Sequence, residues 1–265
     1  NISLSNSIKD FQLGLSYTVK TRRPTYQQLS NNVVYANRFT YQSGNPLLRH
    51  ETIHNVGFMG VWKFMQLTLD YNDRRDAIIY SGKQMEHNPA ITLIAFQNFH
   101  SLKSVSIFLS FAPKFGIWNP QLGMGIDKQW MELNTSYNTL TMNKPMYLCS
   151  FNNTFNFGKG WIGSSAMILQ TKGDWENCTE TKNIFYTNIS LSKSFFDGKI
   201  SFKLSGSDLF HGKKSGNRLY FDQTTTHQIM EYNSRKITMT LRYNFNYTKS
   251  KYKGTGAANN EIQRL

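Results

Sequence analysis

Long apolar runs are missing from this 265-residue sequence: the best is Ile91 to Phe96, far short of the roughly 20 residues that a membrane helix needs. Any passage through a membrane therefore has to be made by strands. Cysteine is nearly absent too, with only Cys149 and Cys178, and neither stands in a Cys-x-x-Cys pair or beside a histidine motif, which argues against a zinc or redox centre. A disulfide between the two is left open. Proline is limited to 6 residues and acidic side chains to 16, against 30 Lys and Arg, so the formal charge is +14. No basic helix collects that excess, which removes the usual groove-reading arrangement for nucleic acid. Residues 1–10 lack both a basic start and an apolar core, so no export signal is visible among them.

Hydrophobic residues make up 39%, below the roughly 45–50% of a soluble globular domain, yet aromatics reach 14% with 19 Phe, 14 Tyr and 5 Trp. An aliphatic core does not need that many rings. A sheet with one apolar face and one wet face does. Period-two alternation, which sends successive side chains to opposite faces, is the dominant pattern. Phe11, Leu13, Leu15, Tyr17 and Val19 alternate with Gln12, Gly14, Ser16, Thr18 and Lys20, and Ile237, Met239, Leu241, Tyr243, Phe245 and Tyr247 with Thr238, Thr240, Arg242, Asn244 and Asn246.

The same reading predicts ten strands, near 11–20, 51–62, 65–80, 90–112, 116–130, 144–157, 161–173, 183–195, 199–210 and 229–247. Of these, 161–173 alternates poorly and 90–98 is apolar on both faces. Short links rich in Gly, Asp and Pro fall near Lys63, Pro113, Gly158 to Gly160, and Asp197, where they supply tight-turn chemistry. Long polar links occupy 21–50, 81–89, 131–143, 174–182 and 211–228. Tight turns at one rim and long loops at the other are the layout of an all-β, antiparallel transmembrane β-barrel, with periplasmic turns and extracellular loops. Rings bracket the short turns: Trp62, Phe64, Phe115, Trp118, Phe157, Trp161, Phe195, Tyr243, Phe245 and Tyr247. Such positions predict an interfacial girdle at the membrane boundary. Residues 1–248 are then barrel segment and 249–265 a periplasmic C-terminal tail. Basic clusters such as Lys20, Arg22 and Arg23, or Lys213, Lys214 and Arg218, are either solvated loop charge or attraction for anionic outer-membrane lipid and lipopolysaccharide.

Particular segments carry a resemblance. Arg23-Pro24-Thr25-Tyr26 with Leu29 is followed by Gly44-Asn45-Pro46, Leu48 and Glu51; Lys144-Pro145 leads to Asn152, Phe155 and Gly158-Lys159-Gly160-Trp161; Arg242-Tyr243-Asn244-Phe245 precedes Tyr252 to Ala257 and the ending Glu261 to Leu265. In this order they resemble the C-terminal half of the TonB-dependent receptor type barrels common in Bacteroidetes, in their outer membrane protein beta-barrel branch. The resemblance implies a 22-strand barrel with a preceding plug domain, bacterial outer-membrane location, nutrient uptake energised by TonB, and in places a partner surface lipoprotein. About ten strands is less than half of such a barrel, so the chain is expected to be its closing portion. The alternative is a self-contained structural or adhesion barrel without energy coupling.

Catalytic constellations fare poorly, and no enzymatic activity or cofactor is expected. Asp73 and Asp76 flank Arg74 and Arg75 and read as solvated charge rather than as a glycosidase pair. His50 and His54 would lie about 13 Å apart along a strand, too far to chelate one metal. Gly158-Lys159-Gly160 lacks the rest of a phosphate loop and reads as a hairpin turn. Loop rings at Tyr26, Tyr35, Tyr41, Trp130 and Tyr137 either stack on a ligand or pack their own loops; substrate-binding residues stay open.

Overall fold

The computed structural model describes residues 1–85 and 87–245. In chain order the strands are β1 (Ile2–Ile8), β2 (Phe11–Arg22), β3 (Val34–Asn37), β4 (Thr40–Gln42), β5 (Glu51–Trp62), β6 (Met65–Met85), β7 (Asn88–Phe111), β8 (Trp118–Asn134), β9 (Thr139–Met142) and β10 (Met146–Gly158). They continue with β11 (Trp161–Gln170), β12 (Gly173–Trp175), β13 (Cys178–Glu180), β14 (Ile184–Phe195), β15 (Ile200–Ser207), β16 (Lys214–Tyr220), β17 (Thr225–Glu231) and β18 (Lys236–Tyr243). One four-residue helix, α1 (Tyr26–Leu29), interrupts the first long loop.

The principal sheet is an antiparallel meander ordered β1-β2-β5-β6-β7-β8-β10-β11-β14-β15-β18, open at both edges. Because directly paired residues share a face, its register can be followed sideways. Leu15 pairs with Phe58, Phe58 with Leu69, Leu69 with Ile107, Ile107 with Ile126, and Ile126 with Tyr147. That row is apolar across six strands. One residue over, Ser16, Gly57, Asp70, Ser106, Asp127 and Met146 pair in the same sequence and make the opposite face largely polar. Many of the large apolar side chains are exposed on the outward face, including Leu15, Tyr17, Val56 and Tyr71. Hydrocarbon rather than water is the solvent that makes such a surface stable.

The ten expected strands match ten members of the meander, with three differences. Residues 2–8 add an eleventh, β1, whose Ile2, Leu4 and Ile8 continue the exposed apolar face. The stretch 229–247 is not one strand: β17 belongs to a separate four-stranded sheet, β12-β13-β16-β17, and β18 begins at Lys236. Residues 81–85 continue β6 and are not part of a loop, so β6 and β7 reach 21 and 24 residues, about twice what a tilted strand needs to cross a bilayer. The expected tail, 249–265, lies outside the described residues, as does Tyr247.

The overlong hairpin explains one of the two irregular stretches. Asp76 takes φ +50° inside β6, and beyond it Ala77 and Ile79 turn into a buried cluster with Leu102, Met131, Leu133 and Met142. The core of this chain thus lies at the long-loop rim. Strand β4 runs parallel to β7 through Thr40–Thr92, Tyr41–Leu93 and Gln42–Ile94, covering an edge that would otherwise expose free N–H and C=O groups. Residues 90–98 are apolar on both faces because loops flank them there. In the other weak stretch, β11 stops at Gln170 and Gly173 already opens β12.

Candidate functional site

Glu51 opens β5 at the long-loop rim, on the polar face, and its side chain is fully buried. A buried carboxylate survives only when partners replace its lost hydration. Arg22 of the neighbouring strand pairs with it, Arg74 Nε donates to Oε1 at 2.5 Å, and the Ile78 N–H donates to Oε2 at 3.1 Å. Arg74 also reaches Glu176 at 2.8 Å in the turn between β12 and β13. Far from being solvated charge as the sequence reading had it, Arg74 is the middle of an ion-pair chain from the wall to a loop. Asp76 pairs with Arg49 at 2.7 Å and Asp73 with Arg75 at 3.4 Å, in more exposed settings. Gln129 completes the clamp: Nε2 donates to the Glu176 carbonyl at 2.8 Å, and the Glu176 N–H donates to Oε1 at 2.6 Å.

That turn roofs a hollow of about 490 Å³ against the polar face, lined among others by Asn72, Arg74, Ser106, Asp127, Gln129 and Trp175. Asn55 links Asp70 and Asn72 below it, and Ser106 donates to Asp127. Trp175 stays half exposed at the lip. The arrangement offers hydrogen-bond donors, acceptors and one ring to a small polar solute.

The loop motif residues come together, and their geometry is structural. Thr25 caps α1: its Oγ1 accepts from the Gln28 N–H at 3.2 Å while Gln28 Oε1 accepts from the Thr25 N–H at 2.9 Å, a capping box. Pro24 precedes that cap, and Leu29 closes the turn. Gly44 then lies against the carbonyls of the same turn; a Cβ there would fall 2.6 Å from the Gln28 oxygen and 2.7 Å from that of Gln27. Asn45 pins the crossing, with its N–H donating to the Gln28 carbonyl at 2.6 Å and Nδ2 to the Phe96 carbonyl of β7 at 3.0 Å. Pro46 follows, and Leu48 is buried. Arg23 and Tyr26 remain exposed. Gly44→Ala is expected to cost about 1–3 kcal/mol through forced displacement, read as faster proteolysis within residues 26–48 while the barrel wall stays protected.

At the short-turn rim the aromatic residues form a nearly continuous belt. Phe11 stacks on Trp62 at 5.6 Å, Phe64 meets Phe111 edge-on at 4.9 Å, Phe115, Trp118, Phe155 and Phe157 follow at spacings of 5.5, 6.3 and 6.0 Å, and Tyr243 meets Phe245 at 4.4 Å. Lys193 bridges Trp161 and Phe195 at 5.2 and 5.3 Å. Of the other loop rings, Tyr35 and Tyr41 pack on each other at 5.7 Å, Tyr26 and Tyr137 are free, and Trp130 lies on the outward face under Lys128. Cys149 and Cys178 are both unpaired: the first faces outward on β10, and the second is buried in the loop sheet, where desolvation pushes its thiol up to about 11 with help from Glu180. Gly158 and Gly160 take φ +78° and +79° in a tight hairpin turn, not in a phosphate loop. Among the described residues no group of His, Cys, Asp or Glu is placed to hold a metal.

A family model described as the outer membrane protein beta-barrel family matches residues 1–247. The chain belongs to that family. This places the barrel in the outer membrane, in agreement with its outward apolar face. No curated protein matches it in sequence. Among solved structures, the siderophore receptor PirA from Pseudomonas aeruginosa is similar in fold, with TM-score 0.60, 13% identity, and coverage of 81% of this chain and 40% of that one. A mutant of the ferric enterobactin receptor PfeA from the same organism gives 0.56 at 12% identity, covering 83% and 35%. PirA from Acinetobacter baumannii gives 0.55 at 13%, covering 92% and 40%. The barrel segment thus spans well under half of the length of these receptors, and identities this low speak to fold alone.

Proposed function

We propose that this chain is the closing part of a TonB-dependent type receptor barrel of 22 strands, of the Bacteroidetes kind, which admits a small nutrient through its lumen without enzymatic chemistry. The observation that carries the reading is the hollow on the polar face, roofed by a loop that the Glu51–Arg74–Glu176 chain holds in place. Such a roof gives a ligand a binding place at the mouth and a route downward along the polar wall. The open edges of β1 and β18 favour this over a self-contained structural or adhesion barrel, because a barrel closed by its own strands has no free edge. In the same reading the rim belt is the periplasmic aromatic girdle, and TonB and a surface lipoprotein are partners of the whole protein. The ligand class is that of the solved relatives in fold, which are named as siderophore and ferric enterobactin receptors.

The test is uptake of a panel of radiolabelled ferric siderophores by cells that carry or lack the full-length gene. Loss of uptake on deletion, its abolition by collapse of the proton-motive force, and a reduction of about tenfold by Trp175→Ala at normal surface abundance are expected. Uptake that is unchanged on deletion, or insensitive to the proton-motive force, would overturn the transport reading.

A further inference from the structure

Small residues break the outward face at several places, Gly60 between Leu13 and Leu67 and Gly163 between Phe155 and Leu191 among them, and Cys149 is another. This small residue pairs with Met124 on one side and Leu169 on the other, so two long side chains flank a short one. The result is a groove of about 400 Å³ whose wall also includes Ile107, Leu109, Ile126 and Tyr147. Its position along the strands is definite. On β8 the outward residues climb from Trp118 at the short-turn rim through Leu122, Met124 and Ile126 to Lys128 and Trp130, so the groove runs from the row of Met124 and Cys149 up past Ile126 and Tyr147 towards the long loops.

Directly above it the outward surface turns cationic. Lys103 is paired with Trp130 and Lys128 with Val105, which makes the two lysines diagonal neighbours with about 7–8 Å between backbone positions. Lys103 is exposed, and Lys128 lies over the Trp130 ring at 5.2 Å. Asp73, the cross-strand neighbour of Lys103 on β6, is engaged by Arg75 at 3.4 Å. Among the described residues neither lysine has a carboxylate within ion-pairing distance. An apolar furrow ending under two free ammonium groups and an indole is complementary to one chemistry, an acyl chain attached to a multiply phosphorylated headgroup.

We propose that this groove is a binding site for lipopolysaccharide of the outer leaflet, with one acyl chain lying over Cys149 and the headgroup phosphates held by Lys103 and Lys128. Long loops at this rim, the extracellular side of bacterial barrels, put the site in the leaflet where that lipid resides. An ordinary anionic phospholipid offers a single phosphate to the two lysines and is the weaker match.

The test is retention of deep-rough lipopolysaccharide by the full-length protein purified in detergent, read by native mass spectrometry. One bound molecule is expected for the wild type. The double variant Lys103→Glu with Lys128→Glu and the groove-filling Cys149→Phe should each retain less than a tenth of it. Lys63→Glu, the same charge change at the opposite rim, should retain it fully, and heat-modifiable migration checks that every variant is folded. Should a variant fail to fold, the wild type serves alone: alkylation of Cys149 by an apolar maleimide should slow at least fivefold with added lipopolysaccharide and not with phosphatidylglycerol. Equal retention by the variants, or equal protection by phosphatidylglycerol, would overturn the proposal.

Discussion

Replacing Glu51 with alanine is expected to lower the stability of the loop-capped rim by about 3 kcal/mol, near the bottom of the range for removing one partner of a buried ion pair. The direction follows from what is left behind. Arg74 is only 16% exposed along its side chain, and it would keep a single carboxylate partner, Glu176. The Ile78 N–H would be buried without an acceptor, which costs on the order of 1–3 kcal/mol by itself. Arg22 is half exposed, so water relieves its share, and that keeps the total at the low end. Glu51→Gln should retain the Ile78 contact and recover part of the loss. Denaturant unfolding of the full-length protein in detergent, followed by hydrogen exchange at residues 76–80 and 174–178, measures both the size and the place. By contrast, Lys63→Ala removes an exposed pair with Asp10 at 3.7 Å and should change stability by less than about 1 kcal/mol. Equal effects from the two substitutions would mean that burial at Glu51 is not what makes its contacts matter.

Glu51 also shows where sequence reading stops. The strands were legible because each outward row is apolar and each inward row polar, a pattern that period-two alternation writes directly into the chain. The short turns were legible for a similar reason: positive φ at Gly158 and Gly160 restricts which residues can stand there. The loops carry no such period. Whether Arg74 is solvated depends on Glu176, 102 positions later, and no local signal joins the two. The same holds for the loop sheet, whose strands β12 and β13 come from one loop, β16 from another, and β17 from the end of that second loop together with the first residues of the expected final strand. The loop sheet is tied to the overlong β6–β7 hairpin where Asn177 Nδ2 donates to the Tyr80 carbonyl at 3.0 Å. The Arg-Pro-Thr-Tyr and Gly-Asn-Pro segments are intermediate: a resemblance flagged them, and the structure supplies the reason, a capped turn against which only a glycine fits.

Leu69→Arg is expected to destabilise the membrane-embedded sheet by about 2–4 kcal/mol, the cost of an arginine facing lipid near the bilayer midplane. The register fixes its depth. On β6 the outward residues run from Met65 at the short-turn rim through Leu67, Leu69 and Tyr71 to Asp73, and Leu69 is the middle of the five. Its cross-strand partners, Phe58 and Ile107, are apolar, so no carboxylate can take up the guanidinium, and the headgroups lie two outward residues away in either direction. Leu241 stands on the same face but only one outward position from Tyr243 at the rim, opposite Phe202 and in the row of Lys193. An arginine there can snorkel to the interface as Lys193 does against Trp161, so Leu241→Arg should cost no more than about 1 kcal/mol. Reversible unfolding in lipid vesicles compares the two directly. A Leu241→Arg variant as damaged as Leu69→Arg would mean that depth along the strands has been read in the wrong direction, whereas two harmless variants would mean that this face does not meet hydrocarbon at all.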